Sequence, residues 1–291
     1  MSGVTGHQDL RGRIDTTRPH TARIWNYWLG GKDNYPVDRE AGDRIRAIHP
    51  GIGEYARADR LFLGRAVHHL AAGAGVRQFL DIGTGLPSAD NTHEVAQRSV
   101  PDARIVYVDN DPLVLTHARA LLTSTPEGRT DYLDADVRDT DAILERAART
   151  LDFSEPVALM LLGVVIFIED DETSYEVVRR LMAELPSGSH LVLSHTIVSP
   201  AMPEVDAAVA FWNEHGTPRL TQRTPRQVER YFDGLELLEP GVVSCSRWRP
   251  GSEPGPVSSA AGPGGPEGAD GPGGPGEPDE VAMFGGVAAK P

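Results

Sequence analysis

Residues 79–96 read FLDIGTGLPSADNTHEVA: an apolar strand, an acid inside its end, two glycines one residue apart, a polar turn and then a helical pattern. A strand that runs through a glycine turn into a helix is the opening of a parallel α/β sheet, and missing side chains at Gly83 and Gly85 let backbone N–H groups approach a ligand. The ligand is not fixed by the glycines alone. A dinucleotide fingerprint needs a third small residue and a helix N-terminus immediately at the turn to hold the pyrophosphate. Here Ser88 takes the third position, Pro87 interrupts, and Asn91 with Glu94 is spaced as a capping box that starts the helix further on.

Outward from this stretch, strand and helix patterns alternate. RIVYVD precedes PLVLTHARALL, TDYLDA precedes TDAILERAART, VALMLLG precedes TSYEVVRRLMAEL, and HLVLSHT comes before TPRQVERYF. Nearly continuous apolar strands between amphipathic helices predict a parallel sheet covered on both faces. Gly234–Glu239 and Met283–Ala288 read as two more strands with no helix between them, an antiparallel pair closing the edge of a seven-stranded α/β sheet. Upstream, Ile24, Trp25, Trp28 and Leu29 recur at helical spacing before Gly30-Gly31, Pro36 suits the first turn of a second helix to about Ile48, and a third runs from about Glu54 to Ala72 with Leu61, Val67, His68 and Leu70 near one side. The expected organisation is a flexible tail (1–17), an N-terminal helical lobe or lid (18–75), and a sheet domain (76–291). Residues 250–279 hold 18 Gly or Pro among 30 and no Lys or Arg, so they are expected to form a disordered, inert loop inside that domain.

Composition narrows the partners. The chain has 291 residues, 40% of them apolar, and a formal net charge of −14. That charge opposes a sequence-independent grip on nucleic acid or on an anionic membrane surface, so a small molecule is the expected partner. Of 28 basic residues only Lys32 and Lys290 are lysines. Cys245, the single cysteine, excludes an internal disulfide and a zinc site built from several thiolates; it reads as a structural thiol, and no metal site is expected. The stretch MSGVTGHQDLRGRIDTT has no apolar core of a signal peptide, and the longest apolar run, Val157–Ile168, is too short to span a bilayer, which leads to the expectation of a cytoplasmic protein.

The acids discriminate better than the glycines. Asp81 sits inside the first strand end, Asp109 ends the second strand in VYVDND, and Asp136 follows the third in YLDADVRD. Each taken alone is an ordinary solvated strand-end carboxylate. Together they flank one crevice, where they would repel a pyrophosphate and suit a positively charged sulfonium. An acid at the second strand end can accept both ribose hydroxyls in dinucleotide and nucleoside sites alike, and a carboxylate after the third can accept from an adenine amino group, with the Val137 N–H reaching the ring.

These residues resemble the S-adenosyl methyltransferase family, a group of Rossmann-like S-adenosylmethionine (SAM)-dependent methyltransferases formerly catalogued as a domain of unknown function. The resemblance is carried by RIWNYWLGGKDNYPVDREAGDRI (23–45), FLDIGTGLPSADNTHEVAQ (79–97), RIVYVDNDPLVLTHARALL (104–122), YLDADVRD (132–139), TPRQVERYFDGLELLEPGVV (224–243) and the ending FGGVAAKP. It implies a class I methyltransferase with SAM as cofactor: Gly83, Thr84 and Gly85 on the methionine part, Asp109 on the ribose, Asn110 on the adenine face, and Asp136 with Val137 on the adenine edge. One departure is Ile166, which stands about where the family pattern often carries a histidine.

Methyl transfer from a sulfonium is an in-line displacement, which demands alignment and exclusion of water more than a catalytic set. His195, at the end of the fifth strand, is the candidate general base, with Glu169 next; as a packing residue His195 would be hydrogen-bonded and inert. Trp25, Tyr27, Trp28 and Tyr35 surround Lys32, so aromatic faces and a cation stand together: Lys32 and Tyr35 are candidate cofactor residues, the lysine pairing with the cofactor carboxylate, while Trp25 and Trp28 read equally as the core of the lobe. Phe211, Trp212 and Asn213 fall in a segment expected to help form the acceptor pocket. Three readings stay open: a methyltransferase acting on an unidentified small molecule, a catalytically silent SAM-binding module, and a nicotinamide-dependent oxidoreductase.

Overall fold

The computed structural model of the chain describes residues 14–121, 123–252 and 278–291. Most of the expected tail (1–13) and most of the expected Pro/Gly loop (253–277) lie outside these residues. The lobe contains α1 (Thr21–Trp28), α2 (Pro36–Ile48) and α3 (Ile52–His68). Its organising centre is the carboxylate of Asp38, fully buried, which pairs with Arg23 Nε at 3.0 Å and also accepts from the backbone N–H groups of His20 (3.0 Å) and Tyr35 (2.8 Å). One acid thus fixes the starts of both α1 and α2, and burying it with so many partners is what makes its burial tolerable.

The sheet domain follows as β1 (Gln78–Ile82), α4 (Thr92–Ser99), β2 (Arg104–Asp109), α5 (Pro112–Leu121), β3 (Arg129–Asp134), α6 (Thr140–Ala147), β4 (Ala158–Leu162), α7 (Asp171–Ala183), β5 (His190–Thr196), α8 (Pro203–His215), α9 (Pro225–Glu229), β6 (Glu236–Leu237), β7 (Val243–Ser244) and β8 (Met283–Ala289). The strands are ordered β3-β2-β1-β4-β5-β8-β6, with β7 also pairing β8. The first five are parallel and β8 runs antiparallel to β5 from Met283 opposite Thr196 to Ala289 opposite His190. The closing antiparallel strands are therefore present, as expected. The strand expected over Gly234–Glu239 shrinks to two residues, and β7 is an addition; Gly234 and Gly241, both at positive φ, bend the chain around the shortened strand.

Strand order reverses between β1 and β4, so the crevice that a parallel sheet opens at such a point lies above the carboxyl ends of β1, β2 and β4. The helix α3 roofs the adjoining sheet face. Phe62, Val67 and Leu70 are fully buried in one core with Phe79, Met160 and Val192, each contributing roughly 1.5–3 kcal/mol. Of the residues expected on the buried side, Val67 and Leu70 are buried while Leu61 is half exposed, its place in the core taken by Phe62 and Leu63. Polar ties complete the seam, with the Arg65 guanidinium donating to the carbonyls of Cys245 (2.5 Å) and Trp248 (2.8 Å) and the Tyr55 hydroxyl bonded to Thr196.

Candidate functional site

A cavity of about 440 Å³ occupies the predicted crevice, within the size range of pockets that hold cofactor-sized ligands. One wall is made of strand ends. Asp81, Gly83, Thr84, Gly85, Asp109, Asn110, Asp136 and Val137 all line it, so eight of the residues singled out from the sequence meet in one place.

The glycine turn is tight for a reason visible in its geometry. Gly83 has φ +77°, and a Cβ there would stand 2.5 Å from the Val164 side chain; Gly85 has φ +64°. The Gly83 N–H donates to Val108 O at 2.8 Å, and the Gly85 N–H donates to Asp109 Oδ2 at 3.0 Å. Asp109 also accepts from the Asp111 N–H at 2.9 Å, which holds its carboxylate at the cavity wall. Asp81 is fixed by a 2.6 Å bond from Thr92 Oγ1 in the first turn of α4. The helix end itself is spoken for: the Asn91 N–H donates to Glu94 Oε2 at 2.7 Å, and an acid in the first turn repels a phosphate. On the far side Asp136 is gripped by Arg138 at 2.7 and 2.6 Å and touched by Asn110 Nδ2 at 3.3 Å.

The other wall is helical and was largely invisible beforehand. His20, Trp25, Asn26 and Asp33 come from the lobe, Asp59, Arg60 and Leu63 from α3, and Gly163, Val164, Phe167 and Ile168 from the turn after β4. Asn26 is buried and shapes the loop beyond α1, its Oδ1 accepting from the Asp33 N–H (2.9 Å) and Asn34 Nδ2 (3.0 Å). His20 Nδ1 lies 2.8 Å from Asp111 Oδ2, clipping the start of α1 to the end of β2, and Thr21 N–H donates to Thr217 O at 3.3 Å. Trp25 faces the cavity while Trp28 is core.

Burial lifts the carboxyl groups of Asp59, Asp81 and Asp109 to about 6. Asp136 moves the other way, lowered chiefly by its hydrogen bonds from Arg138. Three desolvated acids in one cavity, with Arg60 as the guanidinium nearest them, make a site that a cation stabilises.

Three candidates from the sequence lie away from the cavity wall. His195 has no exposed surface and does not line the cavity; Nδ1 donates to Thr196 O at 2.7 Å, Nε2 accepts from Arg223 Nη1 at 2.8 Å, and burial drives the imidazole down to about 3. It has no nitrogen left for a substrate. Its role is to seat Arg223, which is itself fully buried and donates to Ile168 O (2.9 Å) and Asp171 Oδ1 (3.0 Å), thereby bracing the turn after β4. Lys32 is exposed and off the cavity wall. Tyr35 packs with Leu86, Leu113 and Val114, and Arg23 lies 5.2 Å over its ring. Glu169 is exposed, Ile166 is buried, and neither lines the cavity. Trp212 and Asn213 brace a turn through bonds to Pro218 O and Leu220, and of that segment Pro218 reaches the wall. Arg60 was missed although a cation for the cofactor carboxylate was sought, because the pair Asp59-Arg60 reads in the sequence as an ordinary solvated helix face.

Among the described residues no helix is long and apolar enough to cross a membrane.

A parallel five-strand sheet closed by an antiparallel β8, with a glycine turn and strand-end acids at its switch point, defines the class I SAM-dependent methyltransferase fold. The chain belongs to the S-adenosyl methyltransferase family, whose sequence profile matches residues 7–291. It is similar in structure to a DUF574 family protein from Streptomyces avermitilis MA-4680, at 44% identity and TM-score 0.83, covering 96% of this chain and 100% of that one. A protein from Thermobifida fusca YX described as a candidate methyltransferase is 36% identical with TM-score 0.80, covering 99% of each chain. A carboxy-S-adenosyl-L-methionine synthase from Chromohalobacter salexigens is 31% identical over 160 residues, 54% of this chain; the match spans about half (52%) of that protein's length.

Proposed function

We propose that the chain binds SAM across the ends of β1, β2 and β3 and transfers its methyl group to a small-molecule acceptor held between α1, α3 and the turn after β4. The observation that carries the reading is the set of buried carboxylates around a glycine turn whose neighbouring helix end is already capped. That arrangement favours a sulfonium nucleoside over linked phosphates. The same charge argument disfavours a carboxylated donor of the kind named in the Chromohalobacter relative.

When bound, SAM supplies an electrophilic methyl on a sulfonium, which the chain needs only to align and keep dry. Asp109 accepts from the ribose hydroxyls, held ready by the Gly85 and Asp111 N–H groups. Asn110 covers the adenine face, and Asp136 with the Val137 N–H meets the adenine edge. The backbone of Gly83, Thr84 and Gly85 runs along the methionine part, Asp81 takes its ammonium, and Arg60, which shares a small cleft with Asp81, Thr84 and Gly85, pairs with its carboxylate in place of Lys32. Trp25 on α1 is the aromatic face closing the site from above.

Calorimetry separates the readings. Titration with SAM is expected to give saturable heat and titration with NADH none; heat from NADH alone overturns the assignment. Labelled SAM incubated with the protein and small-metabolite fractions then distinguishes an enzyme, which passes label to a product, from a silent binding module, which retains the ligand without transfer.

A further inference from the structure

Asp59 is unaccounted for by the cofactor reading. It sits on α3, 6% exposed, and lines the cavity. Its neighbours are the Ser194 hydroxyl at the end of β5 and the Cys245 thiol, whose sulfur is 3.9 Å from Oδ1. Neither carries a charge: burial pushes the Cys245 thiol well above its ordinary value, and the adjoining Tyr55 phenol is raised by the same cause. Asp59 takes part in none of the ion pairs among the described residues. A buried carboxylate with neutral contacts and one face on a cavity is a site for a cation.

The two inner acids lie on opposite sides of the β4 end. Asp81 is tied to Thr92 of α4 and senses Arg60 and Asp109, all toward β2. Asp59 is contacted by the Cys245 thiol and neighbours the Ser194 hydroxyl, toward β7 and β5. Arg60 does not neutralise it by contact, because Nη2 is drawn to the Ala89 and Asp90 carbonyls at 3.3 and 3.2 Å, on the glycine-turn side. Trp25, Leu63, Leu162 and Phe167 line the same cavity, Leu63 one helical turn from Asp59 on α3. An apolar enclosure with one ionised oxygen pair recognises a cationic head on a hydrophobic body.

We infer that Asp59 is the anchor of the acceptor subsite and that the acceptor is a hydrophobic primary or secondary amine. The inference rests on the cofactor reading above, which places SAM on the β2 side and leaves the β5 side for the acceptor. The amine arrives as its ammonium and pairs with Asp59. The carboxylate takes one N–H proton, freeing the nitrogen lone pair. That pair forms the N–CH₃ bond as the S–CH₃ bond breaks with its electrons retained on sulfur, giving an N-methylammonium and neutral S-adenosylhomocysteine; the Asp59 proton then passes to solvent.

The test compares 2-phenylethylamine and N-methyl-2-phenylethylamine with 2-phenylethanol, a neutral analogue of the primary amine, titrated calorimetrically into protein saturated with S-adenosylhomocysteine. Both amines are expected to bind the native chain more tightly than the alcohol, and Asp59→Asn is expected to weaken them by roughly 30-fold while leaving the alcohol and S-adenosylhomocysteine unchanged. Should that variant fail to fold, the native chain supplies the second measurement. Amine affinity is expected to fall as pH drops from 7.5 to 5, through the value of about 6 to which burial lifts Asp59, while alcohol affinity stays flat. The groups facing Asp59 from its neighbours are Arg60, Tyr55 and Cys245, and burial keeps the Tyr55 phenol and the Cys245 thiol neutral in that window; Asp81 and Asp109 across the cavity change charge there, and the alcohol controls for them. Alcohol binding as tightly as amine, amine affinity untouched by Asp59→Asn or by pH, or no amine binding at all to the loaded protein overturns the inference. If S-adenosylhomocysteine itself fails to bind, the cofactor reading falls, and amine titration of the ligand-free protein still reports on Asp59.

Discussion

The two walls of the cavity were built by different means. The strand-end wall consists of short peptides, Asp81 to Gly85, Asp109 to Asn110 and Asp136 to Val137, each at the carboxyl end of a parallel strand; once the strands pair in register, those peptides have nowhere else to meet. The helical wall depends on how α1 and α3 dock, which is decided by residues that never touch the cavity: Asp38 with Arg23 inside the lobe, Arg65 with the carbonyls of Cys245 and Trp248 at the seam. Which residues meet is therefore legible from topology on the first wall and has to be read from the structure on the second. The fixings differ too: Asp109 is held by backbone N–H groups of Gly85 and Asp111, whereas the start of α1 meets the rest of the chain through the His20–Asp111 contact and backbone bonds between Pro19, Thr21 and Thr217.

The contrast is sharpest in the effect of removing Asp109. Replacing it by Ala deletes the acceptor for two ribose hydroxyls, and SAM affinity is expected to fall by ~100-fold, the worth of about two hydrogen bonds to a charged group. His20→Ala, on the lid, is expected to cost about tenfold or less. Equal losses at both positions would break the distinction between walls. The same titration carries a pH signature. In the free protein Asp81 and Asp109 are lifted to about 6, so at pH 6 each is about half protonated; ligand groups that favour the ionised carboxylates expel those protons. Binding at pH 6, followed in two buffers of different ionisation enthalpy, should release on the order of one proton, and affinity should rise from pH 5 to 7 and level off above. Proton uptake on binding would contradict the sign.

His195 is the next probe, because it separates a site residue from one that only supports the site. Its imidazole is held neutral by burial, down to about 3 against an ordinary value near 6.5, so it contributes stability that is present above pH 6.5 and lost as pH falls from there toward 3. His195→Ala is expected to lower stability by about 2–4 kcal/mol through the cavity and the unpaired Arg223 guanidinium it leaves, with SAM affinity nearly unchanged. Melting and calorimetry on the same preparation check both. A variant that melts normally but fails to transfer methyl would return His195 to the chemistry.

How much of this was legible in the sequence follows the same division. The alternation of strands and helices, the displaced cap at Asn91 and Glu94, and the acids at the strand ends are local patterns, and local patterns survive translation from sequence to fold. His195 misled because a histidine at a strand end looks the same whether its strand neighbours open onto a cavity or, as here, onto Arg223 and Tyr231. Asp59 and Arg60 gave no signal because a charged pair on a helix is usually a solvated face, and only the docking of α3 over β4 and β5 turns one of them inward. Leu61 shows the same blindness from the apolar side: Val67 and Leu70 of the expected face are buried, yet Phe62 and not Leu61 completes it, which is settled only by the partner surface.

Lys32 carries the smallest expected effect and the most direct check on where the lid ends. It was singled out because it is the lone lysine amid Trp25, Tyr27, Trp28 and Tyr35, and a cation near a cofactor carboxylate is a sound idea in the abstract. In the fold the residue is exposed on the loop between α1 and α2, while its neighbours Gly31 and Asp33 reach the cavity wall. A flexible charge in solvent is screened within about 8–10 Å at ordinary ionic strength, so it adds little to binding beyond general attraction. Lys32→Ala should change SAM affinity by less than about twofold, against roughly tenfold for Arg60→Ala, whose guanidinium lies inside. The ratio matters more than either value. If Lys32 proved the larger of the two, the loop after α1 would have to turn the Lys32 side chain inward over the methionine part when ligand binds.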